Sequence, residues 1–293
     1  MPWLVPRALP PEGERVLSRF LGELTEKLDD PALDRNEVVR DTLAEVLYAA
    51  PFTELAERAP LAAFALDPRN VTFEAERYVV TDPERFARVK PLLWLWKSLD
   101  LTPFGQSVES GLRLRALLAA RVFAHAGKNL KIFQNVEVSV GYNLWVGDDV
   151  TIHRGVFIDD IGGVTLHDGV SLSDFVNVYS HTHSVLESPD VTLKETVIGK
   201  GVRVAYHATV LAGTVLSDDS MVGAMALATR DLEPHVIGLG IPAKARVWKE
   251  RAGDPRFASL VVDARTYARK APVRANPDFR TEEPADPVEE PSV

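Results

Sequence analysis

Cysteine is absent from all 293 residues, which excludes disulfides, thiolate zinc sites and a thiol nucleophile. That absence fits a reducing cytoplasm. An excess of positive charge is missing too: 33 Lys and Arg face 42 Asp and Glu, a net charge of −9. Nucleic acid and anionic membrane surfaces would repel such a chain, so neither is expected as a partner. No apolar run approaches the roughly 18 to 20 residues of a membrane span. The first twelve residues hold four prolines and lack the basic start and apolar centre of a signal peptide. These absences together predict a cytoplasmic protein.

What the chain has in quantity is a period of six. Val140, Val146, Ile152 and Ile158 are followed, after an eight-residue step, by Leu166, Leu172 and Val178. After an interruption the series resumes at Ile198, Val204, Val210, Leu216, Val222 and Ala228. Positions four residues on are mostly small or β-branched, as in Val150, Val156, Val170, Val202 and Ala208. A six-residue unit is a short strand plus a turn, too small to bury an apolar face alone. Three units close a triangular coil, and stacked coils pile the sixth-position side chains inside. A parallel β-helix is therefore predicted over residues 128–250. A sandwich would space its strands at roughly eight to twelve residues and would not hold this register.

Residues 1–127 read as an α-helical region, with helices expected at 13–29, 36–47, 53–66, 83–98 and 107–126. Asp82 and Pro83 are a good helix start. Val16, Phe20, Leu24 and Leu28 mark the inner face of the first helix, Trp94 and Trp96 read as core, and no residue of the region reads as catalytic. Residues 251–293 form an extension. From about residue 271 it holds five prolines and six acidic residues, and disorder is expected there.

The chemistry concentrates near residue 180. His181 and His183 end a coil just before the interruption at 185–195, where a rigid edge would hold an imidazole beside a cleft. The hexapeptide run, the stretch His181-Thr182-His183-Ser184, and the ending from Gly223 through Arg230 to Lys244 resemble the left-handed β-helix acetyltransferases. The likeness is to the maltose, galactoside and nodulation-factor O-acetyltransferase branch, over roughly residues 130–250. Left-handedness comes from this resemblance alone, since parallel crossovers are ordinarily right-handed.

The resemblance implies a transfer from acetyl-CoA to a hydroxyl of a sugar-like small molecule, an amine being the other acceptor. It puts the general base on His183, with His181 beside it. It implies acceptor contacts at Asp159 or Asp160, and cofactor contacts at Ala224, Thr229, Arg230 and Lys244. It also implies a homotrimer, with no metal. The chain departs from the family at Arg203 and Ala205, where an aromatic and a glycine are usual. It departs again at Arg154-Gly155, where the family has an acceptor-contacting Asn, and at Ser184, where it has a proline. Two other classes share the fold: a γ-carbonic anhydrase-like zinc enzyme using His153, His181, His183 and His207, and a silent scaffold. The cofactor-like ending favours the acetyltransferase.

Overall fold

The computed structural model describes residues 7–186 and 191–249. The tail expected to be disordered lies outside the described residues.

Seven helices come first: α1 (Pro11–Asp29), α2 (Arg35–Tyr48), α3 (Phe52–Arg58), α4 (Pro60–Leu66), α5 (Pro83–Asp100), α6 (Pro103–Gln106) and α7 (Val108–Val122). Two differences from the sequence reading have local causes. The single helix expected at 53–66 breaks into α3 and α4, because Pro60 pushes Ala59 out of the helical region to φ −143°. The last helix stops at Val122 and the chain is already in its first strand at His125–Ala126. On α1 the buried stripe is Leu17, Leu21, Leu24 and Leu28, while Val16 faces out. Asp82 caps α5 as expected, accepting from the N–H groups of Glu84 and Arg85. Trp96 is buried and Trp94 packs against the core.

From residue 125 the chain winds into a β-solenoid of about six turns, whose short parallel strands stack into three sheets. The twelve sixth-position residues from Val146 to Ala228 are all fully enclosed. Each of these side chains except Ala228 contributes about 1.5–3 kcal/mol of apolar burial.

Partner strands show that a coil is not a plain multiple of six. Ile132 pairs with Ile152 and Ile152 with Leu172, steps of twenty residues, whereas Val204 pairs with Val222, a step of eighteen. The two extra residues always fall at one corner, between Val138 and Val146 and again between Ile158 and Leu166. Val140 is consequently a corner residue, and Val138 holds the strand position that the period assigned to it. The other corners keep to six and repeat one backbone device. Asn129, Asp149, Gly169, Gly201 and Asp219 occupy equivalent places with φ between 55° and 70°. This left-handed region suits Gly, Asn and Asp, which accounts for the composition of this corner, whereas the next one holds the same conformation with Phe175, His207 and Met225 as well.

At the third elongated corner the chain leaves the solenoid. His181–His183 and Val191–Leu193 pair antiparallel as an arm, with His183 opposite Val191.

Helix α5 lies along the solenoid and is fastened at both ends. At its start the Asp82 N–H donates to the Tyr142 hydroxyl at 2.9 Å, and Arg85 donates to the Tyr142 carbonyl while stacking 4.3 Å over its ring. At its end Asp100 meets Arg115 of α7, and both are almost wholly buried. Arg115 also donates to the carbonyls of Ile132 and Gly105, and Asp100 accepts from the Asn135 N–H. Gly111 leaves the room: a Cβ there would lie 2.3 Å from the guanidinium. Arg115→Ala strands a buried carboxylate, and a loss of about 3–5 kcal/mol in urea unfolding is expected.

Candidate active site

The site is built on the two later elongated corners. At the first of them two neighbouring carboxylates point in different directions. Asp160 is fully enclosed, and its oxygens accept from the N–H groups of Val140 at 2.8 Å and Asn143 at 3.3 Å. Burial pushes its pKa up to about 6. It braces the preceding corner and offers nothing to an acceptor, so the substrate-side expectation does not fit Asp160.

Asp159 is only 1% exposed and turns toward the arm. One oxygen accepts from the backbone N–H groups of Ser180 and His181 and meets His181 Nδ1 at 2.5 Å. Burial alone would raise the Asp159 pKa, but the bond from His181 and the backbone donors hold it below the ordinary carboxylate value. The same bond raises His181 above the usual imidazole value, against the opposing effect of its partial burial. The corner is fixed tightly. The Ser180 hydroxyl donates to the Asp159 carbonyl at 2.6 Å and accepts from Gly162 N–H at 2.9 Å. Gly162 has to be glycine, because a Cβ there would sit 2.0 Å from the Ser180 carbonyl oxygen.

His183 stands on the same face of the arm and is exposed, its ring 5.2 Å from that of His181 and nearly perpendicular to it. The ring of Tyr78 lies 5.6 Å from His181 and 6.5 Å from His183. Tyr78 donates to Glu74 at 3.2 Å. Both residues come from the stretch between α4 and α5, and with Phe73 and Lys97 they wall a cleft of about 350 Å³ that His181 closes. The helical region therefore supplies wall to the cleft, a contribution that the sequence reading did not include. The available signal was length: residues 67–82 carry two aromatics without a helical pattern, and long connections inside a compact fold tend to serve a site.

The expected cofactor residues gather elsewhere, on the last coil. Ala224, Thr229, Arg230 and Lys244 are all exposed, and the Ala243 N–H donates to the Leu227 carbonyl at 2.7 Å, bringing Lys244 beside the strand that leads to Thr229. Arg230 and Lys244 form no ion pair among the described residues. On the sheet that ends at the arm, Asn177–Val178 pairs with Thr209–Val210, and that strand with Leu227–Ala228. The last coil thus lies two strand spacings, about 10 Å, from the strand that leads into the histidine arm.

The four histidines of the zinc reading divide between two places. His153 stacks on Phe133 and His207 on Phe175, at a different corner from His181 and His183. Among the described residues no three His, Asp or Glu side chains form a metal-ligand group. No helix among them is long and apolar enough to cross a membrane.

No family model matches the chain. It is 26% identical over 166 residues to the galactoside O-acetyltransferase of Escherichia coli K12, covering 55% of this chain and 78% of that one. It is 30% identical over 157 residues to the putative colanic acid biosynthesis acetyltransferase WcaF of the same organism, covering 51% and 82%. The fold matches a maltose O-acetyltransferase from Clostridium difficile 630 with a TM-score of 0.51, at 21% identity, over 62% of this chain and all of that one. It also matches a galactoside acetyltransferase solved with coenzyme A, with a TM-score of 0.50 at 24% identity, over 58% and 82%. The chain belongs to the acetyl-CoA-dependent hexapeptide-repeat β-helix acetyltransferases, related to the galactoside and maltose O-acetyltransferases.

Proposed function

We propose that this chain moves the acetyl group of acetyl-CoA onto a hydroxyl of a sugar-like acceptor, with His181 as general base. The observation that carries this reading is the 2.5 Å contact between His181 Nδ1 and the buried Asp159 carboxylate. A carboxylate can only accept, so Nδ1 keeps its proton and Nε2 is left as the basic nitrogen. Nε2 takes the acceptor's hydroxyl proton as its oxygen attacks the thioester carbonyl. The tetrahedral intermediate then expels the thiolate of coenzyme A, which takes the proton back from His181. Asp159 steadies the transient imidazolium, as a buried carboxylate does behind other catalytic histidines.

The resemblance placed the base on His183. Support for His181 instead comes from its fixed ring and from its place in the lining of the cleft, which His183 does not share. Support for the sugar acceptor comes from the names of the relatives. Arg230 and Lys244 are the cations suited to the phosphates of the acetyl donor, with Ala224 and Thr229 along its chain. We also propose a homotrimer, for which light scattering should return three times the 32.3 kDa chain mass.

Thiol release from acetyl-CoA in the presence of a galactoside tests the reaction. His181→Ala is expected to lower kcat about 10²- to 10⁴-fold, and His183→Ala much less. The reverse order would return the base to His183, and full activity in both variants would refute a histidine base.

The pH dependence follows from the pair. His181 must be neutral to act and its pKa is raised, so activity rises with pH with a midpoint above 6.5. Asp159→Asn removes the main cause of that shift: the rising limb should move to lower pH while the plateau falls. Stability runs in a different window. The raised His181 stabilises the fold fully below pH 6.5 and loses that contribution above its folded value, while the lowered Asp159 contributes above pH 3.8 and loses it below its own folded value. The denaturation cost of Asp159→Asn should therefore be largest between those two values and smaller near about pH 9.

A further inference from the structure

The cleft closed by His181 does not end at Lys97. A second cavity of about 380 Å³ continues from it along the solenoid beneath α5. The two share one stretch of wall, made of Phe73, Lys97, Glu137 and Val138. Their characters differ. The first is lined by the titratable groups of Glu74, Tyr78, Asp159 and His181. The second is bounded chiefly by Phe73, Leu93, Trp96, Leu101, Val136 and Val138. Its most buried carboxylate, Asp100, is already paired with Arg115 and accepts from the Asn135 N–H. Where the cavities meet, Lys97 and Glu137 pair at 3.3 Å with both side chains about half exposed.

The apolar wall is rigid. Phe73 packs edge-on against Phe86 at 5.9 Å and Trp94 at 6.2 Å, and α5 is pinned to the solenoid at each end. Cavities of roughly 300–1,000 Å³ with apolar walls and a few polar groups at one end are the usual shape of a small-molecule site. A simple sugar placed beside His181 would leave the second cavity without an occupant.

We propose that the acceptor is amphiphilic: a hydroxylated sugar head beside His181, continued by an aliphatic or aryl aglycone that lies in the second cavity against Phe73, Trp96 and Leu101. This rests on the acetyltransferase reading and narrows its substrate class. The aglycone takes no part in the chemistry. It holds the head group against the base, so its contribution is read in kcat/KM.

Methyl and octyl β-glycosides of one sugar, the octyl compound kept below its micelle concentration, compare the two cavities directly. Each buried methylene is worth roughly a three- to fourfold gain, so kcat/KM is expected to be at least about tenfold higher for the octyl glycoside. Leu101 is 79% exposed, so Leu101→Asp should fold normally while placing a charge at the apolar cavity. In that variant the octyl-to-methyl ratio should fall toward one. Calorimetry on the full chain gives an arm independent of turnover: octyl glycoside should bind the unsubstituted protein and lose that binding in Leu101→Asp. Equal kcat/KM for the two glycosides would overturn the proposal while leaving the acetyltransferase reading intact, as would an equal loss on both in the variant. Octyl glycoside binding without thiol release would support the apolar subsite and count against the reaction. The absence of both octyl glycoside binding and a chain-length effect would overturn the proposal outright.

Discussion

One edge of the solenoid has more backbone than a six-residue repeat needs, and the site depends on that excess. Three successive corners on this edge, after Val138, Ile158 and Val178, are elongated, and the last opens into the histidine arm. The next coil returns to the plain period, with Val197 pairing to Val215 eighteen residues on. Each longer corner uses its extra atoms to grip the one beside it. Tyr142 in the first receives the start of α5, Asp160 in the second braces the backbone of the first, and Ser180 in the third locks onto Asp159 and Gly162. Rigid inner stacking alone would give a featureless prism. The protruding edge turns it into a surface with a cleft.

Two adjacent aspartates show how far local geometry governs chemistry. Side chains alternate along an extended segment, so Asp159 and Asp160 leave the same turn on opposite sides. Asp160 enters a space with backbone donors and no cation, where burial outweighs the donors and its acidity weakens. Asp159 meets an imidazole and stays ionised. A buried ionised carboxylate is costly without a partner, and His181 supplies it. The pairing benefits both sides: the carboxylate is tolerated inside the fold, and the histidine gains a fixed tautomer with a more basic ring.

Legibility in the sequence followed the range of the interaction that fixed each feature. The inward stack from Val146 to Ala228 could be read directly, because its cause is a local alternation repeated many times. Position Val140 misled for the same reason: counting back by six cannot see an eight-residue corner. The break at Ala59 was written plainly in Pro60. The importance of Asp159 was half visible, since the Asp159-Asp160 pair stood out while nothing in one dimension told which member faced the arm. Tyr78 could be suspected only from the length of its connection, and Lys97, on a regular helix, carried no signal as a wall residue. They lie roughly a hundred residues before the histidines, and only the fastening of α5 brings them there.

That fastening is the last step from sequence to site. Arg115 and Asp100 are a pair whose desolvation cancels much of their attraction, so they add little net stability compared with an apolar equivalent. Their value is directional. The guanidinium reaches the Ile132 carbonyl of the first coil and the Gly105 carbonyl of the helical region at once, and Asp100 holds Asn135 from the other side. Apolar packing would let α5 slide along the solenoid at small cost, whereas these bonds are satisfied in one register only. With Tyr142 fixing the other end, the helix cannot collapse onto the strand edge at Glu137 and Val138. The groove between them is thus framed by polar bonds at its two ends, which hold the helix backbone at a set distance from the strand edge.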